Sequence, residues 1–440
     1  MKAAYSYSRP EAQTAEVPAT ETQRDLWLAC QQNPALATAC VDCISLKFAT
    51  RVDAGLLQQA LNRLEDAHPA LRCVFSPHGA SLLLQAPAHR KLRLSVISGD
   101  GDSARALREA EAATALPLDG SPLWRAHLLS CFNAAELLLS FHSALIDAYS
   151  RERLAEHLQA IYHALAAGRQ PASAATDQFD AMYALMQQDQ SDRRHDAHAY
   201  WLEHFRHGVP ATPLPTDFPR QGPLAPDSAV SSLQLPASLS EKLLQAGHKR
   251  GIGIGDWLLA AYAVFLYQLS GERHRVIGLP VCGQDANALP RALGQFSKLL
   301  PLSLHVDENM AFSRCLSRIS LAAQMARRHR HVSLHTLHKA LPPGQAARPD
   351  GALYATVFDY CPSAAPQATE GLPAQADFNE WRVQIRPAGD TLQLDWHYRR
   401  SLFAESRMQQ RAAQFVQLLE ELADYPEQTL THLRQDSSAQ

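Results

Sequence analysis

Between residues 210 and 227 the chain carries six prolines. Proline lacks an amide hydrogen and fixes φ, so neither a regular helix nor a central strand runs through such a segment. The apolar sequence on either side must therefore build its own core. With 440 residues there is chain enough for roughly two or three domains. The expected division is a flexible lead-in over 1–18, an N-terminal lobe over 19–175, a linker region over 176–227 and a C-terminal lobe over 228–440.

Both halves mix strand and helix patterns without strict alternation, which predicts two α+β lobes. In the first half, Asp53 to His68 places Ala54, Leu57, Ala60, Leu61 and Leu64 on one helical face. Strands are predicted at Cys43–Phe48, Leu71–Phe75, Ser81–Gln85, Leu92–Ile97, Trp124–Ser130 and Glu136–Phe141, with a Pro77-His78-Gly79 turn. In the second half, Arg275–Cys282 and Leu299–Val306 read as strands and Met408–Ala423 as the last helix.

Several function classes are disfavoured. A formal net charge of −3 gives no footprint for nucleic acid. The apolar run Trp257–Leu269 falls short of the ~20 residues of a membrane-spanning helix and reads as a core helix. The first residues lack the apolar centre of a secretory signal, so a cytoplasmic location is expected. Cys40 and Cys43 form an isolated CxxC and are expected to be buried thiols. His329, His331, His335 and His338 lack the spacing of a ligand face. No metal site is expected. Gly251, Gly253 and Gly255 lead into a core helix with no Lys-Ser/Thr after them, so they are not a phosphate loop.

Chemistry is concentrated at residues 137–168, where an apolar strand passes through a short turn into an amphipathic helix. The turn holds His142 and Asp147, and Ser150 is a plausible N-cap for the helix. A histidine near a carboxylate suits general base catalysis. A lone His-x4-Asp is equally compatible with a structural histidine, and the spacing alone does not choose.

Four further segments accompany the turn. Thr22-Gln23-Arg24-Asp25-Leu26-Trp27 and His68-Pro69-Ala70-Leu71-Arg72-Cys73-Val74-Phe75 precede it. Leu214-Pro215-Thr216-Asp217-Phe218-Pro219-Arg220 and Gly294-Gln295-Phe296-Ser297-Lys298-Leu299-Leu300-Pro301-Leu302 follow. In this order the five resemble the condensation domain of nonribosomal peptide synthetases, and the resemblance runs from about Thr22 to Leu433. It implies two chloramphenicol acetyltransferase-like lobes in a V-shaped pseudo-dimer with a tunnel between them. It also implies carrier proteins, each presenting a thioester on a phosphopantetheine arm, and no bound cofactor.

The family turn reads His-His-x-x-x-Asp-Gly, and here it is altered. His142 matches the first, mainly structural His, and Ser143 stands at the second, tunnel-facing one. Ala148 replaces the Gly, Lys298 an Asn, and Gln284 stands where an Arg commonly follows Gly. The resemblance makes His142 and Ser143 the candidate catalytic residues. It makes Asp147, Arg72 and Ser150 structural, with Arg72 the expected ion-pair partner of Asp147. Lys298 and Gln284 are possible substrate-binding residues. A serine hydroxyl is not a general base unaided near neutral pH, whereas an amine acceptor can lose its proton after attack. The leading expectation is therefore an amide-forming acyltransferase acting with carrier proteins in trans and a small-molecule amine. The alternatives are a catalytically impaired carrier-binding scaffold and a coenzyme A-dependent acyltransferase.

Overall fold

A computed structural model describes residues 15–32, 37, 40–85, 92–171, 190–210, 213–220, 227–281, 292–341, 353–362, 369–371 and 379–431. The chain divides into two compact α+β units that are not contiguous in sequence. The first comprises Met1–Met186, Asp285–Phe296 and Ala368–Leu372, and the second comprises the rest.

In the first unit, strands β1 (Ala15–Pro18), β3 (Cys73–Phe75) and β4 (Ser81–Leu84) make a small antiparallel sheet, ordered β1-β4-β3. The larger sheet contains β2 (Val41–Phe48), β5 (Ser95–Ser98), β6 (Trp124–Ser130), β7 (Ala135–His142) and β12 (Thr369–Gly371), ordered β12-β2-β7-β6-β5. Its β5–β6 pair is parallel and the other neighbours are antiparallel. Strand β7 lies between β2 and β6 and is almost wholly buried, which explains its nearly unbroken apolar run. The Val41↔His142 pairing brings the end of β7 beside the start of β2.

Helix α1 (Glu21–Gln32) opens with a reciprocal cap. Thr20 N donates to Gln23 Oε1 at 2.8 Å, and Gln23 N donates to Thr20 Oγ1 at 3.2 Å. Helices α2 (Ala54–Ala67) and α3 (Gly101–Ala113) begin at Asp53 and Asp100, whose carboxylates accept from Leu56 N and Ser103 N. Helix α4 (Ala148–Ala166) buries Leu154, Leu158 and Ile161, and Gly168 follows it at φ 67°.

In the second unit, β8 (Ser228–Gln234), β9 (His274–Val281), β10 (Lys298–His305), β11 (Thr356–Tyr360), β13 (Trp381–Ala388) and β14 (Thr391–Arg399) form one sheet, ordered β10-β9-β11-β13-β14-β8. Among its helices are α5 (Gln190–His204), α6 (Ala237–Arg250), α7 (Ile254–Ser270), α8 (Phe312–Arg328), α9 (Leu334–Ala340) and α10 (Glu405–Asp424). Residues 257–267 of α7 are all buried. Among the described residues no single helix is long and apolar enough to cross a membrane. Gly251 closes α6 at φ 64°, in the left-handed region that glycine enters at little cost.

The proline-rich segment acts as a clamp in this unit. Arg220 grips the buried Glu380 carboxylate through two hydrogen bonds of 2.7 and 2.9 Å and also donates to Leu214 O. Asp217 accepts from Ala404 N at 2.9 Å, so it caps α10 from 187 residues away.

One buried carboxylate ties α3 to the larger sheet of the first unit. Glu111 holds Arg125 and His127 of β6 and accepts from Ser140 of β7. Burial pushes the Glu111 carboxyl up, but His127, Arg125 and Ser140 outweigh burial and hold it at about 2, below its ordinary 4.5. A depressed folded value contributes stability that is fully present above about pH 4.5 and lost as pH falls toward 2. Glu111→Gln is therefore expected to flatten the loss of thermal stability over that window, measured by melting temperature against pH.

Candidate functional site

Three of the five sequence segments meet at the turn after β7. Asp147 precedes α4, and its carboxylate works in two directions. Oδ1 accepts from Ser150 N at 2.9 Å and so caps the helix. Oδ2 accepts from Phe296 N at 3.2 Å. The Asp147 amide in turn donates to Gly294 O at 3.0 Å. Ser150 is therefore not the N-cap. It is fully buried in the first turn of α4, where Oγ donates to Gly294 O at 3.0 Å and accepts from Gly294 N at 3.1 Å. The sequence pattern misplaces the cap because Asp and Ser both suit it, and Asp147 lies one residue before the first helical position.

Gln295 extends the same lock. Its Nε2 donates to Ser143 O at 2.8 Å, and its buried Oε1 has no hydrogen-bond partner among the described residues. From the other side Gln23 Nε2 donates to Ala144 O at 2.9 Å. The Gln23 side chain thus caps its own helix and holds the turn, which explains a glutamine at the opening of the first segment.

The two candidate catalytic residues have different surroundings. His142 is fully buried, and its Nδ1 accepts from Ala144 N at 3.1 Å. Its side chain organises the turn, and in this conformation it offers no surface to a reacting group. Ser143 is half-buried. Its Oγ lies 2.9 Å from Cys40 O and 3.0 Å from Asp42 Oδ2, both of which can only accept. The single hydroxyl hydrogen is thus directed inward, and the oxygen lone pairs remain for a donor. Arg151 Nη1 pairs with the same Asp42 oxygen at 2.7 Å. Sequence reasoning passed over Asp42, whose signal is an acidic residue inside the apolar strand Val41–Phe48.

Arg72 lies in a short 3-10 turn over Pro69–Arg72, one residue before β3 rather than within the predicted strand. It is buried and donates to Glu65 O at 2.6 Å, Asp66 O at 3.1 Å and Gln85 O at 3.1 Å. The first two are carbonyls from the last turn of α2, which the helix itself leaves unsatisfied. Trp124 Nε1 bonds to the neighbouring Leu71 O at 3.0 Å, and the Trp124 ring stacks on Phe141. Lys298 opens β10 in the second unit, and its Nζ donates to Val332 O at 3.4 Å. Gln284 lies outside the described residues.

Comparison with known proteins decides what this turn belongs to. A family model described as the condensation domain matches residues 13–440. The chain belongs to the condensation-domain family. Among curated relatives of this condensation domain, a linear gramicidin synthase protein from Brevibacillus parabrevis is 25% identical over 442 residues, which is 95% of this chain and 8% of that one. A surfactin synthase protein from Bacillus subtilis (strain 168) is 24% identical, covering 87% of this chain and 11% of its own length. The chain thus spans only about a tenth of these relatives.

Solved structures share the fold. The first condensation domain of the calcium-dependent antibiotic synthetase, in complex with a substrate analogue, superposes with a TM-score of 0.77 at 23% identity, covering 95% of this chain and 98% of that one. The X-domain from teicoplanin biosynthesis, in complex with OxyB, gives 0.81 at 22% identity, covering 97% and 96%.

Two stability measurements probe the frame around the turn. Ser150→Ala leaves the buried Gly294 N–H without its acceptor and is expected to cost roughly 1–3 kcal/mol in denaturant unfolding. The expected Arg72–Asp147 pairing is tested by a double-mutant cycle with Arg72→Ala and Asp147→Asn. A pair in contact gives a coupling of about 0.5–3 kcal/mol. Additive costs overturn the pairing.

Proposed function

We propose that this condensation domain joins a carrier-bound acyl or aminoacyl thioester to an amine acceptor, forming an amide in nonribosomal peptide or hybrid polyketide biosynthesis. The amine nitrogen attacks the thioester carbonyl, the carbon–sulfur bond breaks, and the phosphopantetheine thiol leaves on its carrier. The proposed setting is cytoplasmic, with carrier proteins acting in trans and supplying the arm.

The observation that carries this reading is the pair of acceptor oxygens, Cys40 O and Asp42 Oδ2, beside the Ser143 hydroxyl. With its hydrogen turned toward Asp42 and Cys40 O, Oγ presents lone pairs and accepts from an N–H donor. It positions an amine and does not deprotonate it. A positioned general base is typically worth about 10²–10⁴-fold in rate, and the proposed reaction forgoes that share. Proximity and orientation then supply most of the acceleration. An amine is nucleophilic once neutral, whereas a hydroxyl needs its proton removed during attack, so amide formation is favoured over ester formation. In this reading His142, Asp147 and Ser150 hold the turn, Arg72 is structural, and Lys298 and Gln284 contribute to substrate binding.

A second reading is a domain that binds carrier proteins and recruits or gates other enzymes without catalysis. It is favoured by serine at the position of the second motif histidine and by the similarity to an X-domain whose solved structure includes a protein partner, OxyB.

Loaded carrier protein and a panel of amines, followed by intact-protein mass spectrometry, separate the two, with acyl-coenzyme A as an alternative donor. The expected outcome is slow amide product that falls in Ser143→Ala and rises at least about tenfold in Ser143→His. No product from any donor, with carrier binding retained, establishes the scaffold reading instead.

A further inference from the structure

Directly beneath the turn lies a cluster that the proposed reaction does not use. Cys30, in the last turns of α1, and Cys40, just before β2, place their sulfurs 3.6 Å apart. A ring nitrogen of His142 and the two sulfurs all lie within 4.8 Å of one another. The three side chains are buried, at 7%, 1% and 0% exposure. The Nε2 atom of His142 is buried and, among the described residues, has no hydrogen-bond partner.

The protonation of the histidine decides what the cluster can do. Nδ1 accepts from the Ala144 N–H, so a neutral ring carries its hydrogen on Nε2. A metal on Nε2 would require the hydrogen on Nδ1, facing another hydrogen, and a metal on Nδ1 would displace Ala144. The arrangement therefore suits sulfur chemistry better than a metal ion. An unpartnered buried donor costs free energy that a negatively charged sulfur nearby recovers. The two thiols are also unequal. The Cys40 thiol lowers that of Cys30 against the opposing effect of burial, with His142 adding to the lowering, while Cys30 and burial raise Cys40.

We propose that Cys30 and Cys40 are a reversible dithiol–disulfide pair, a modification site beneath the motif turn that takes hydrogen peroxide as oxidant. The Cys30 thiolate attacks one peroxide oxygen. The O–O bond breaks, hydroxide leaves and takes up a proton as water, and Cys30 becomes a sulfenic acid. The Cys40 sulfur then attacks the Cys30 sulfur. The S–O bond breaks, the S–S bond forms, and the hydroxyl leaves as water with the Cys40 proton. Two thiols lose two electrons and peroxide becomes two waters. From 3.6 Å the sulfurs need to close by about 1.5 Å to reach bonding distance. The link forms at the residue whose carbonyl accepts from both Ser143 N, at 2.7 Å, and Ser143 Oγ.

The test is hydrogen peroxide titration of the native chain, followed by denaturation, isotope-coded alkylation and peptide mapping. The expected result is a Cys30–Cys40 peptide pair lighter by two hydrogens and restored by dithiothreitol, while the more exposed Cys131 and Cys361 stay reduced at the same dose. Cys40→Ser should stop the reaction at a Cys30 sulfenic acid that dimedone traps, and Cys30→Ser should give no adduct at Cys40. The proposal is overturned if Cys131 or Cys361 oxidises while Cys30 and Cys40 remain alkylatable in the wild-type chain. It is equally overturned if the purified chain carries one zinc ion that is lost in both variants.

Discussion

The carboxylate of Asp147 is the constraint on which the site depends. One oxygen starts helix α4 and the other receives a backbone amide from a segment that lies far along the chain. A carboxylate accepting two backbone N–H groups fixes the end of a strand, the start of a helix and a returning loop in a single geometry. Gln23 and Gln295 then fasten the carbonyls of Ala144 and Ser143, so the turn is held at two of its peptide oxygens as well. What remains outside this lattice of internal bonds is the outward side of the Ser143 oxygen.

Much of this could be read from the residues. The mixed strand and helix periodicities implied an α+β fold, because those patterns follow from local geometry. The order of the five segments implied the family. Their individual purposes were hidden, since each depends on partners distant in sequence. Gln23 reads as a helix cap until Ala144 is placed beside it. Ser150 reads as an N-cap because Asp147 competes for the position and wins, and its hydroxyl serves Gly294. Arg72 suggests an acid partner by charge, and nothing in its spacing announces that it also donates to the carbonyls of Glu65, Asp66 and Gln85.

Cysteine shows the same limit. Spacing draws attention to Cys40 and Cys43, yet it is Cys30, ten residues before Cys40, that packs against it. Strand geometry accounts for this. Cys43 sits within β2 and meets Ser140 on the neighbouring strand, whereas Cys40 lies before the strand and faces the end of α1. Replacement of a motif histidine by Ser143 likewise shows in the sequence, but the direction of the hydroxyl hydrogen requires knowing that Asp42 and a backbone carbonyl lie below it.

The return of Gly294, Gln295 and Phe296 to the first unit bears on synthesis at the ribosome. The hydrogen bond from Ser150 to Gly294 spans 144 positions. Strands β2, β6 and β7 can pair as soon as they emerge, but the Phe296 amide reaches the Asp147 carboxylate only after residue 296 leaves the exit channel. Contacts of such long separation form late because loop closure precedes their reward. The nascent first half therefore waits with its central turn half-fastened, and the last step in making this turn is the arrival of chain translated long after it.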